Sequence, residues 1–120
     1  MTKLTPEQQQ YRLVPERAVQ KAVEDMLTLY GWKFFHAPDN KPSAGTGRVQ
    51  KIVPGFPDII AIRGTRIIVI ENKKELEQPR EDQEEWLRAF KATGKVETYV
   101  IRPSTMRWLA EQLKPEWAKQ

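Results

Sequence analysis

Cysteine is absent from this 120-residue chain, so neither a disulfide nor a thiolate metal site is open to it. It has one histidine, His36, and without a second imidazole a histidine metal site has no support. No apolar run approaches the roughly 20 residues that a membrane-spanning helix needs. The start, Met1-Thr2-Lys3-Leu4-Thr5, lacks the apolar core of a secretory leader. The expectation is therefore a soluble, intracellular protein. Internal repeats and low-complexity stretches are also missing. What the chain does have is charge: 20 Lys and Arg against 16 Asp and Glu, a net charge of +4 and a pI near 9.4. That balance permits an acidic partner such as nucleic acid without requiring one. The length suits one domain with a modest core.

Turn and cap residues divide the chain. Thr5-Pro6-Glu7 reads as a helix cap followed by proline at the first helical position. A second helix is predicted over 15–30, stopped by Gly31, and a strand over 32–36. Residues 37–55 hold three prolines, three glycines and the cations Lys41, Arg48 and Lys51, the composition of a long loop. A hairpin follows. Beyond it come a helix over 81–93 ended by Gly94, a strand over 96–102, and a last helix capped by Ser104 or Thr105 and ended by Pro115. The order predicts a single α/β domain, with a helix crossing over between parallel neighbours in the sheet.

The hairpin, VPGFPDIIAIRGTRIIVIENKKE over 53–75, carries the chemistry. Its two apolar runs end in charge at the open end, Asp58 before one and Glu71 and Lys73 after the other. Gly64 at the first central position of a two-residue turn suits type II′. Arg63 then faces Arg66, paired numbers sum to 129, and Asp58 falls opposite Glu71. Directly opposed Cβ atoms lie about 4.5–5.5 Å apart, and facing like charges cost stability unless something sits between them. A divalent cation fits that gap. Strand alternation sends Lys73 to the same face as Glu71. Charged strand ends are also common simply because strands emerge into water, so an isolated Asp and Glu would carry little weight.

Pro57-Asp58, followed after a strand and turn by Glu71-Asn72-Lys73, resembles the signature of the PD-(D/E)XK nucleases. The closest likeness is to the VRR-NUC branch, on Gly55, Pro57, Asp58, Glu71, Lys73 and Gln83 in order and spacing. Asn72 departs from that pattern, which more usually has a small apolar residue there. The resemblance covers nearly the whole of 15–113. It implies a mixed four-stranded sheet flanked by helices, in an αβββαβ core like that of restriction endonucleases. Residues 1–14 would form an extension, 15–114 the nuclease-like domain and 115–120 a tail.

The resemblance further implies DNA hydrolysis with Mg²⁺ or Mn²⁺ held by Asp58, Glu71 and the backbone carbonyl of Asn72. Lys73 would position water or neutralise the transition state, and Gln83 would orient a ligand or contact a phosphate. A carboxylate from the first long helix is also implied, and Glu16 and Glu24 compete for it. At roughly 100° per residue, Glu16 lies within about 40° of the centre of the apolar stripe, and Glu24 more than about 110° away. Glu16 is therefore preferred, as a ligand directly or through water, with Glu24 expected to face solvent. Lys41, Arg48, Lys51 and Lys74 are the expected phosphate contacts, with Arg102 and Arg107 on the last helix as an alternative path. Relatives of this kind, many carried by bacteriophages, suggest a homodimer acting on branched DNA in a bacterial or phage-infected cytoplasm. A non-catalytic DNA-binding module and a restriction-type nuclease are the alternatives.

Overall fold

The computed structural model describes residues 3–38 and 53–119. The first helix, α1 (Pro6–Tyr11), begins at Thr5 as the sequence predicts. The Thr5 hydroxyl accepts from the Gln8 N–H at 3.1 Å, and Gln8 Oε1 accepts from the Thr5 N–H at 2.9 Å. This reciprocal pair satisfies two amides that the first helical turn otherwise leaves unbonded. In α2 (Glu16–Leu29) the buried residues are Val19, Val23 and Leu27, one per turn on a single face. The helix closes with the Trp32 N–H donating to the Leu27 carbonyl at 2.9 Å and the Gly31 N–H to that of Thr28 at 3.3 Å. Trp32 thus belongs to the helix stop, and strand β1 (Lys33–His36) begins one residue later than predicted.

Strands β2 (Ile59–Arg63) and β3 (Arg66–Asn72) form the hairpin in the predicted register, with Arg63 opposite Arg66 and Ile59 opposite Ile70. Gly64 has φ 60° and Thr65 is not left-handed, which is the type II′ pattern. Helix α3 (Glu81–Ala92) then crosses over to β4 (Glu97–Ile101), which runs parallel to β3. The sheet order is β1-β2-β3-β4, with the first two pairings antiparallel. It is a mixed four-stranded sheet in an α/β fold. A 3-10 turn (Pro103–Thr105) leads into α4 (Met106–Leu113). The Thr105 hydroxyl does not cap α4 as expected; it accepts from the Arg102 N–H at 2.9 Å and so closes the preceding turn. A further 3-10 turn, Glu116–Ala118, lies beyond Pro115, where no element was foreseen.

The two faces of the sheet are used differently. On one, Ile59, Ala61, Ile68, Ile70 and Ile101 pack against α2 and α4 in a core that includes Val19, Val23, Leu27, Leu109 and Leu113. Each of the Ile, Val and Leu side chains contributes about 1.5–3 kcal/mol by leaving water. On the other, α3 packs along β4, and its Trp86 and Phe90 meet Phe56 edge-on, with centroids 5.1 and 6.0 Å away.

The turn end of the hairpin is tied to the end of α4. Arg63 donates to the carbonyls of Tyr30 and Leu113, and Arg66 to that of Gln112. Both guanidinium groups lie over the Trp32 ring, 4.5 and 5.1 Å from its centre. Cations at a helix C-terminus satisfy its last carbonyls and complement its dipole. Among the described residues no helix is long and apolar enough to cross a membrane.

Candidate functional site

At its open end the hairpin loses one strand before the other. The β2–β3 ladder stops at Ile59–Ile70, while β3 continues beside β4, with Glu71 opposite Val100 and Asn72 opposite Ile101. Asp58 therefore meets β3 through its side chain: Oδ2 accepts from the Asn72 N–H at 2.8 Å. This brings its charge close enough to raise the pKa of Glu71.

Two features of α3 fix that end. Gly55 has φ +78°, and a Cβ there would stand 2.6 Å from the backbone carbon and oxygen of Asp82. Only glycine lets the chain lie this close to the start of the helix. One residue earlier, the Pro54 carbonyl accepts from Trp86 Nε1 at 3.1 Å. The Gly-Phe-Pro-Asp stretch is thus seated on α3 immediately before Asp58.

Glu71 is the centre of the site. It is only 2% exposed, its Oε2 accepts from Gln83 Nε2 at 2.8 Å, and Lys73 Nζ lies 3.7 Å from the same oxygen. Its Oε1 is buried with no hydrogen-bond partner. Burial first, and the Asp58 charge second, push its pKa up to about 8, against the pull of Lys73. Gln83 holds Glu71 with one end and with the other accepts from the Arg80 N–H at 2.8 Å. It therefore caps α3 and orients the carboxylate at once.

A cleft of about 1020 Å³ opens over these groups, lined among others by Glu16, Asp58, Glu71, Lys73 and Gln83. Five of the sequence-predicted site residues come together there. Glu16 contributes to the raised pKa of Glu71, whereas Glu24 does not line the cleft and accepts from Gln20 Nε2 at 3.1 Å. Glu24 is half-buried, so the expectation that it faces solvent is corrected; the Gln20 amide one turn away gives it a partner. Lys74 is exposed and lies outside the cleft lining. Arg102 donates to the Glu77 carbonyl at 2.8 Å. Lys41, Arg48 and Lys51 fall outside the described residues. The phosphate contacts predicted on them therefore have no structural account.

Arg17, Arg80 and Phe35 also line the cleft and were not singled out from the sequence. For Phe35 the signal was available: two adjacent phenylalanines in a strand must point to opposite faces. Charge in the cleft is unbalanced, with five carboxylates (Glu16, Asp58, Glu71, Glu77, Asp82) against three cations (Arg17, Lys73, Arg80). Among the described residues no three His, Cys, Asp or Glu side chains group as metal ligands. A cation held here would take two carboxylates and complete its shell with backbone, water or substrate oxygens, a set that suits Mg²⁺.

No protein-family model, no curated protein and no solved structure matches this chain.

Proposed function

We propose that the protein is a divalent-metal-dependent nuclease that hydrolyses phosphodiester bonds in DNA. The observation that carries this reading is Glu71: a buried carboxylate with an unpartnered oxygen, set beside Asp58 and Lys73 at the base of a cleft. A buried carboxylate left half-bonded costs stability, and such arrangements concentrate at sites that handle ions or protons. The donor set fits Mg²⁺ or Mn²⁺, which Asp58 and Glu71 would hold with the Asn72 carbonyl, with Glu16 reaching it through water. A metal bound there supplies the Lewis acidity that activates water and balances charge growing on the phosphate.

The chain's own residues do the rest. Gln83 holds Glu71 in one orientation through its 2.8 Å bond, so that the carboxylate need not reorganise when substrate arrives. Lys73 is buried, lies 3.7 Å from Glu71 and lines the cleft, so its ammonium would be available to position water or to balance charge on a phosphate. Arg17 and Arg80 line the same cleft and offer charge to the flanking backbone phosphates. Branched DNA cut by two copies of the chain is the form of this reading that the family resemblance favours.

Linear, flap and four-way DNA substrates with Mn²⁺ test it. Cleavage of at least one is expected, together with a melting temperature that rises in millimolar Mn²⁺ because the ion binds only the folded chain. Binding without cleavage, and a melting temperature indifferent to Mn²⁺, would favour a non-catalytic binding module.

A further inference from the structure

The geometry points to Phe35 as a stacking platform for an unpaired nucleobase, so that the substrate class is nucleic acid with an unpaired nucleotide beside the cleaved phosphate. This rests on the nuclease reading above. The alternation of β1 sends Phe34 into the α2–α4 core and Phe35 to the opposite face. Phe35 pairs with Ile60, and Ile60 with Val69. Asp58 and Glu71 each lie two residues further along those strands and so share the face of Phe35. From strand spacing and rise, the Phe35 and Glu71 backbones are about 12 Å apart.

The ring is 61% exposed and lines the same cleft as the carboxylates. The other phenylalanine there, Phe56, has its ring engaged with Trp86 and Phe90. Among the described residues no ring pair includes Phe35. An aromatic face left open to water beside groups suited to phosphate has a matching ligand. A nucleobase offers an apolar π-face while its own phosphates meet Arg17, Arg80 and Lys73. Bases inside an intact duplex are already stacked on their neighbours and cannot use the ring; an unpaired base can.

The experiment compares wild type with Phe35→Ala, Phe35→Trp and Phe35→Leu on a labelled single strand and a blunt duplex of the same length. Binding is read by fluorescence anisotropy in Ca²⁺ and cleavage in Mn²⁺. Phe35→Ala is expected to weaken single-strand binding by about 5- to 150-fold while duplex binding changes less than about twofold. Phe35→Trp is expected to restore it, and Phe35→Leu to fail. Equal losses on both substrates, or full rescue by leucine, would overturn the proposal. So would a wild-type dimer that Phe35→Ala converts to monomer, because Phe35 and the neighbouring exposed Ile62 would then be a contact between copies. The two readings fail separately. Wild type that binds the strand with the expected variant pattern but never cleaves it keeps the stacking site and removes the nuclease. Wild type that cleaves with Phe35→Ala indifferent does the reverse.

Discussion

The two ends of the β2–β3 hairpin both carry buried or half-buried charge, and they treat it in opposite ways. At the turn end, Arg66 donates two bonds of 2.8 Å to Glu97, whose carboxylate also accepts from the Tyr99 hydroxyl. Those bonds from Arg66 hold the Glu97 pKa below its ordinary range, while burial and the Glu97 bond push Tyr99 up to about 12. Charges there stabilise one another. At the open end, Glu71 is more deeply buried, faces a second carboxylate, and keeps one oxygen unbonded. The same hairpin thus pairs its charge where it anchors α4, and where the cleft opens it leaves one buried oxygen, Glu71 Oε1, without a hydrogen bond. Stability and activity are expected to separate along its length.

The largest effects test that separation. Asp58→Ala and Glu71→Ala are expected to lower cleavage beyond measurement, and Lys73→Ala by about 10²–10³-fold. Asp58→Asn and Glu71→Gln, which keep an oxygen to accept from the Asn72 N–H and from Gln83, are expected to abolish cleavage likewise, with little change in the melting temperature of the metal-free protein. Glu16→Ala is expected to impair cleavage far more than Glu24→Ala. Arg66→Ala reverses the pattern. It removes charge-assisted bonds worth about 1.5–3 kcal/mol and is expected to lower denaturant stability by that order while the folded fraction still cleaves. An Arg66 variant that is stable but inactive would break the comparison.

Next is pH. Glu71 has its folded-state pKa raised from 4.5 to about 8. Between those values the folded chain keeps a proton that the unfolded chain has released, so stability falls as pH rises through this window. Melting of the metal-free protein should show that decline, and Glu71→Gln should flatten it. Metal must displace the same proton, so Mn²⁺ affinity is expected to rise with pH up to about 8. Calorimetric titration at several pH values measures it.

The smallest effect lies on the other side of β3. Asn72 is fully buried and neither end of its amide has a hydrogen-bond partner. Asn72→Val is expected to raise stability by about 1 kcal/mol, since it removes an unsatisfied polar group, with cleavage little changed. Chemical denaturation checks the first part and the Mn²⁺ assay the second.

The hairpin was legible in the sequence because its cues are local. Gly64 sets the turn, the turn sets the register, and the register places Asp58 beside Glu71. The phase of α2 separated Glu16 from Glu24 in the same way, from spacing alone. What escaped depends on contacts between distant segments. No pattern in Arg63 or Arg66 announces that Trp32 and the end of α4 will be their partners. The need for glycine at 55 becomes physical only when Asp82, 27 residues later, is seen against it. Arg17 and Arg80 read as ordinary helix-start residues until the fold brings both to one cleft. Phe35 is a different case: strand alternation at the Phe34-Phe35 pair already requires the two rings to take opposite faces, but which of them stays open to water depends on where α2, α3 and α4 pack.

The two-residue turn at Gly64-Thr65 makes the hairpin a ruler whose zero mark lies far from what it measures. Four rungs lie between the Arg63–Arg66 pair and the carboxylates, and each rung transmits the count. A single residue inserted at the turn would slip the register by one and send every side chain of one strand to the other face. Asp58 would then leave the cleft with its identity, its Gly-Phe-Pro lead and its neighbours in the chain unchanged. This loop, exposed and distant from the cleft, is therefore fixed in length by the spacing it sets at the other end.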